Sequence, residues 1–167
     1  LNIVNNSDQD NPMGISIFAN SIDILQGIDL IYDSYINEFQ LGDFVLNLGY
    51  VSHQEAVEHQ RKSQVLLLIE INSEDTKSII PGKVFEYIVS ERPIVAIGPK
   101  DSDFAEIITS TNTGVFFTYD EKEKLKSVLL NYYELYKNNN LKVHAVGLQQ
   151  YSRKSLTEKL AKLVKSD

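Results

Sequence analysis

The run Val-Leu-Leu-Leu-Ile-Glu-Ile at 65–71 constrains this chain more than any other stretch. A strand with one wet face alternates apolar and polar residues. A continuous apolar run is the pattern of a strand covered on both faces. Such a strand needs helices above and below its sheet, and the flanking sequence supplies them. Ser52 and Glu55 form the S-x-x-E signature of a capping box, opening a helix expected to run to about Lys62. After the polar loop NSEDTKS come a helix near 82–90, a strand at Ile94–Ile97 and a short helix near 103–110, where Asp103 and Glu106 are expected to form a second capping box. A strand at Val115–Thr118 precedes a long helix from Asp120, with Leu125, Val128, Leu129, Tyr132 and Tyr136 on one stripe. The asparagines at 138–140 suit its end. Upstream, Ile15–Ala19 and Phe44–Leu48 read as strands, and Ile28–Gln40 has helical spacing. A last helix is expected from Ser152 to about Lys165, with Leu156, Leu160 and Val164 in register. Strand and helix alternate about five times, which predicts the α/β class: a doubly wound, Rossmann-like parallel sheet. The polar segment 1–14 reads as a tail or linker, 15–150 as the domain, and 151–167 as a C-terminal helix.

With 167 residues the chain is long enough for one domain with a substantial core. The net charge of −7 argues against broad attraction to nucleic acid or anionic lipid, though a local cluster could still hold a small anion. There is no cysteine, so disulfide frameworks and thiolate metal sites are excluded. No apolar run is long enough to span a bilayer, and the opening residues lack the basic-plus-apolar pattern expected of a signal peptide. The first residue is Leu1 rather than Met, as expected of a piece of a longer protein or a chain with its start removed.

Dinucleotide and P-loop glycine fingerprints are absent, as are the G-x-S-x-G elbow and H-E-x-x-H. His53, His59 and His144 lack metal spacing, so no metal site is expected. His59 is expected on a wet helix face, while His53 follows a strand end, where a helix N-terminus commonly carries such a residue.

One apolar stretch does carry chemistry: IIPGKVFEYIVSERPIVAIG at 79–98. Pro81 suits the first position of a helix, because its missing N–H would have no partner there. Gly82 lets another group approach the backbone, and the N–H groups near 82–84 would point outward with partial positive charge. Lys83 adds a full charge. Glu86 lies three residues after Lys83 and four after Gly82, so the three share a helix face. A nucleoside diphosphate matches this group, with phosphates at the helix start and the carboxylate on both ribose hydroxyls. The bland alternative is a solvated Glu86 paired with Lys83, and spacing alone favours it.

The wording around these residues adds weight to the ligand reading. GYVSHQEAV at 49–57, VLLLIE at 65–70, IPGKVFEYIVSERPIVAIGP at 80–99 and TGVFF at 113–117 resemble, in order and spacing, the C-terminal donor-binding half of a bacterial group 1 glycosyltransferase of the GT-B type. The closing YSRKSLTEKLAKLV is similar to the family's final helix, and the resemblance covers roughly 44 to 165. It implies the C-terminal half of a GT-B fold and transfer of a sugar from a nucleotide donor, such as a UDP- or GDP-sugar, to an acceptor hydroxyl in cell-surface polysaccharide or lipopolysaccharide biosynthesis. It implies no cofactor, no essential metal and a retaining outcome. Glu86 would hold the ribose hydroxyls, Gly82 and Lys83 would face the diphosphate or sugar, and the turn Tyr50–Val51–Ser52 would hold the nucleobase. No catalytic residue is assigned. Ser78 stands where the family often has a second glutamate, and the basic pair expected after the first strand is not found. The partner implied is an N-terminal acceptor-binding domain of the same protein, through which a cytoplasmic enzyme would reach the inner face of the membrane.

Two other readings compete. A sugar-nucleotide epimerase would share the fold but call for more acids and histidines around the sugar. A non-catalytic receiver-like module would need aspartates after the first and third strands. Here Ile15–Ala19 leads to Asn20-Ser21 and the 65–71 strand leads to Asn72.

Overall fold

The computed structural model describes residues 2–4, 14–17 and 35–165. Among the described residues six strands form one sheet: β1 (Asn2–Val4), β2 (Gly14–Ile17), β3 (Val45–Leu46), β4 (Val65–Ile69), β5 (Ile94–Ile97) and β6 (Gly114–Phe117). Their order is β3-β1-β2-β4-β5-β6. β2, β4, β5 and β6 run parallel to one another, whereas β1 lies antiparallel to both β2 and β3. Five helices are described over their whole length: α1 (His53–Lys62), α2 (Lys83–Val89), α3 (Asp103–Ser110), α4 (Lys122–Lys137) and α5 (Arg153–Lys165). The protein is therefore α/β with a mainly parallel sheet. Asn2–Val4, inside the segment expected as tail or linker, is a strand of that sheet. Most of the helix expected over Ile28–Gln40 lies outside the described residues; the chain is helical over 35–38 and leaves through Gln40 at φ 53°.

The continuous apolar run behaves as its pattern predicts. Leu66 and Leu68 of β4 point to one face, beside Ile94 and Ala96 of β5, and pack on Tyr87 and Ile88 of α2 and Phe104 and Ile108 of α3. Val65 and Leu67 point to the other face with Val95 and Phe117. There the α4 stripe covers them through Leu125, Val128, Leu129, Tyr132 and Tyr136, the residues expected from their spacing. Successive side chains on a strand alternate faces, so a run apolar at every position feeds both cores.

Several local expectations are corrected. Strand β3 spans two residues instead of Phe44–Leu48. Gly42–Phe44 forms a 3-10 turn before it, and Asn47 turns its Oδ1 onto the Gly49 N–H at 2.9 Å, which ends the strand. Helix α4 begins at Lys122 instead of Asp120, because Asp120 accepts the Thr118 hydroxyl in the turn before it. The capping box expected at Asp103 and Glu106 is absent: the N-cap is Ser102, one residue earlier, and the Asp103 N–H donates to the Lys77 carbonyl at 2.9 Å. Helix α1 follows its signature. The Ser52 hydroxyl accepts the Glu55 N–H and the Glu55 carboxylate accepts the Ser52 N–H, at 3.3 and 2.8 Å.

Candidate functional site

The chain passes from β2 outward to β3 on one side and returns to β4 on the other. In open α/β sheets the crevice at such a reversal, beyond the strand C-termini, is where ligands bind. The segment after Ile17 lies outside the described residues, so the described wall of that crevice is the end of β4 and the loop leading into α2. Glu70 ends β4. Its N–H donates to the Ile97 carbonyl, its Oε1 accepts the Ile71 N–H at 2.9 Å, and its carbonyl accepts the Tyr119 hydroxyl at 2.5 Å. Burial, and then the charge of Glu70, raises the pKa of that phenol. The rim above β4 to β6 is thus tied across by one tyrosine. Sequence reasoning did not single out Tyr119 or Glu70, and nothing local could have joined residues so far apart.

Helix α2 brings Gly82, Lys83 and Glu86 to this side of the molecule. Gly82 is its N-cap, in ordinary right-handed geometry at φ −54°, and a methyl group placed there would meet nothing within 4 Å. Pro81 lies one residue before the cap instead of in the first turn. Its carbonyl accepts the Val84 N–H at 2.9 Å, and the Gly82 carbonyl accepts that of Phe85 at 3.3 Å. The expected cluster of free N–H groups is accordingly reduced, since Val84 spends its proton inside the turn. The helix has seven residues, so its dipole is short.

Lys83 and Glu86 are both half-buried. Burial pushes the Lys83 ammonium below the ordinary lysine range, and the negative charge of Glu86 pulls it part of the way back. The two groups are electrostatically coupled, as the i, i+3 spacing predicts. The carboxylate has a second neighbour that spacing could not reveal. Gln60 of α1 donates from Nε2 to Glu86 Oε2 at 3.3 Å, and Gln60 is 1% exposed. A second tie holds the same two elements together, for Arg92, in the turn after α2, donates from Nε and Nη2 to the Arg61 carbonyl at the end of α1.

The turn expected to hold a nucleobase leads into the start of α1. Tyr50 is 89% exposed, Val51 is half-buried and Ser52 caps α1. Glu86 meets α1 at Gln60, about 12 Å along the helix from Ser52 at ~1.5 Å per residue. The carboxylate therefore touches the second half of α1, and the 50–52 turn stands at its start. Ser78 is exposed in the loop, following a 3-10 turn at Glu74–Thr76. His53 is exposed and His59 is half-buried with its carbonyl taken by Ser63.

Two hollows of the surface lie elsewhere. One follows the outer edge of β6 toward α4, and one opens at the rim between Lys100, Asp103 and Glu121. Neither is lined by Gly82, Lys83 or Glu86. Ser102 borders the second, and its buried Oγ has no hydrogen-bond partner among the described residues. Among the described residues no group of three or more His, Asp or Glu could hold a metal, and no helix is long and apolar enough to cross a membrane. Compared with known proteins, the chain matches no family model, no curated protein and no solved structure.

Proposed function

We propose that this chain is the donor-binding half of a glycosyltransferase, doubly wound as in a GT-B enzyme, which holds a nucleotide sugar while the sugar passes to an acceptor hydroxyl. The observation that carries the reading is the half-buried Lys83–Glu86 pair on the helix that follows the central strand. A cation and an acceptor-only carboxylate, one turn apart at a strand's C-terminal side, suit a ligand with an anionic end and a vicinal diol. The wording G-K-V-F-E-Y-I-V-S-E-R-P-I around them supports the same ligand by resemblance. The open space over Gly82 leaves room for the diphosphate or the sugar. Such an enzyme works mainly by positioning the donor and stabilising the departing diphosphate. Polysaccharide or lipopolysaccharide assembly at the inner face of the cytoplasmic membrane is the setting that fits it, with an N-terminal half supplying the acceptor.

Calorimetry with UDP- and GDP-sugars tests the reading. Replacing Glu86→Ala removes charge-assisted hydrogen bonds worth about 1.5–3 kcal/mol, which is a loss of roughly 10- to 150-fold in affinity. Equal affinity in the variant and the parent protein would sink the assignment of Glu86.

A further inference from the structure

Gln60 occupies an odd place. It is the one fully buried residue of α1, where Ala56 and Val57 beside it are half-buried. Packing alone favours an apolar side chain at such a position, because a buried amide costs stability unless it is hydrogen-bonded. Its partner is Glu86, whose Oε2 accepts the Nε2 proton at 3.3 Å. That distance is at the long end for an N–H to oxygen bond, and contacts of this kind often tighten only when a ligand is bound. A carboxylate has two oxygens and about four acceptor positions. Holding one oxygen from the α1 side restricts the rotation of the group.

We infer that Gln60 is a positioning residue that makes the Glu86 carboxylate selective for ribonucleotides over 2′-deoxyribonucleotides. This rests on the reading of Glu86 as the ribose-binding group. A freely rotating carboxylate on an exposed helix can follow whichever hydroxyl is offered. A carboxylate held by Gln60 presents its acceptors in one arrangement, and only a vicinal diol meets both. Removing the 2′-hydroxyl then leaves one acceptor without its donor, and discrimination of this kind is large because an unpaired polar group is left behind.

The experiment compares UDP with 2′-deoxy-UDP, and GDP with 2′-deoxy-GDP, by calorimetry on the parent protein, Glu86→Ala and Gln60→Met. The parent is expected to prefer whichever ribonucleotide it binds by about tenfold or more. Gln60→Met keeps the length and loses the donor. It is expected to melt no lower than the parent, since the freed carboxylate is still half open to water, while the preference falls toward one. A purely structural role would move the melting temperature and leave the ratio in place. A ratio near one in the parent, or one unaltered by Glu86→Ala, removes the ribose reading and this inference with it. A ratio lost in Glu86→Ala but kept in Gln60→Met overturns the role of Gln60 alone. Should Gln60→Met fail to fold, the side-chain amide resonances of Gln60 in the parent decide the matter. They are expected to shift with UDP more than with 2′-deoxy-UDP, and equal shifts overturn the inference.

Discussion

A methyl group added at Gly114 would lie 2.0 Å from the Ile94 carbonyl oxygen, a backbone atom of the neighbouring strand. Neither strand can yield without breaking the β5–β6 register, in which Ile94 stands opposite Gly114. Gly114→Ala is therefore expected to cost about 1–3 kcal/mol or more, read from a denaturant midpoint with unchanged slope. Gly82 is the opposite case. Its conformation suits any residue and nothing stands within 4 Å of the added methyl, so Gly82→Ala is expected to leave stability within about 1 kcal/mol. Under the proposed function it nevertheless weakens donor binding, because the methyl enters the space kept for the ligand. The pair separates a glycine the sheet needs from one the fold does not. Neither role could be read locally: Gly114 is small because of a strand twenty residues away, and Gly82 looks like a turn residue in either case. Glu86 was visible as a candidate because its spacing from Lys83 is short. Gln60 was not, since twenty-six residues and a strand separate it from the carboxylate it holds.

Elements whose ends are governed by neighbours in sequence follow their signals, and the others drift. Helix α1 starts after Ser52 because its capping box closes on itself within four residues. Helix α3 covers the expected 103–110 but lacks the capping box that Asp103 and Glu106 suggest: its N-cap is Ser102, and the Asp103 N–H is taken by the distant Lys77 carbonyl. Helix α4 is an intermediate case. Its N-terminal turn is held by Glu121, whose Oε1 meets the Lys124 ammonium and whose Oε2 accepts the Thr118 N–H at 3.0 Å. Those bonds, the lysine's first, hold the Glu121 carboxyl down to about 2 from its ordinary 4.5. Between those two values the unfolded chain binds a proton that the folded chain does not. The contribution of Glu121 is thus complete above pH 4.5 and is lost as pH falls toward about 2. Glu121→Gln is expected to flatten the acid limb of the stability profile in that window. Parallel profiles for the variant and the parent would show that the turn is held by other groups.

On the scale of the whole molecule, the chain commits its apolar surface unevenly. Leu148 and Tyr151 pack against the core over α2 and α3, and the Tyr151 ring lies 6.0 Å from that of Phe85. The chain is anchored as far as that residue. Beyond it, α5 carries the apolar stripe that its spacing predicts, but the stripe is not buried: Leu156 is 47% exposed, Leu160 61%, Leu163 69% and Val164 70%. The exposure rises steadily, so the helix leaves the body along its length. Periodicity announces an amphipathic helix and is silent about what lies beneath it, which is why the helix was legible and its packing was not. Apart from its packing, a helix of thirteen residues sits near the limit below which isolated helices are marginal in water. Its hydrogen bonds therefore draw little support from the sheet. Amide exchange is expected to report this as a gradient. Protection should be near that of global unfolding in β4 and β5, lower at the start of α5 and close to nil after Leu160. Ending the chain after Ser152 should then leave the melting temperature of the remaining domain almost unchanged, because none of the described residues of α5 is buried. Slow exchange along the whole of α5, or a domain that unfolds when the helix is removed, would mean that the stripe is held against the body in solution after all.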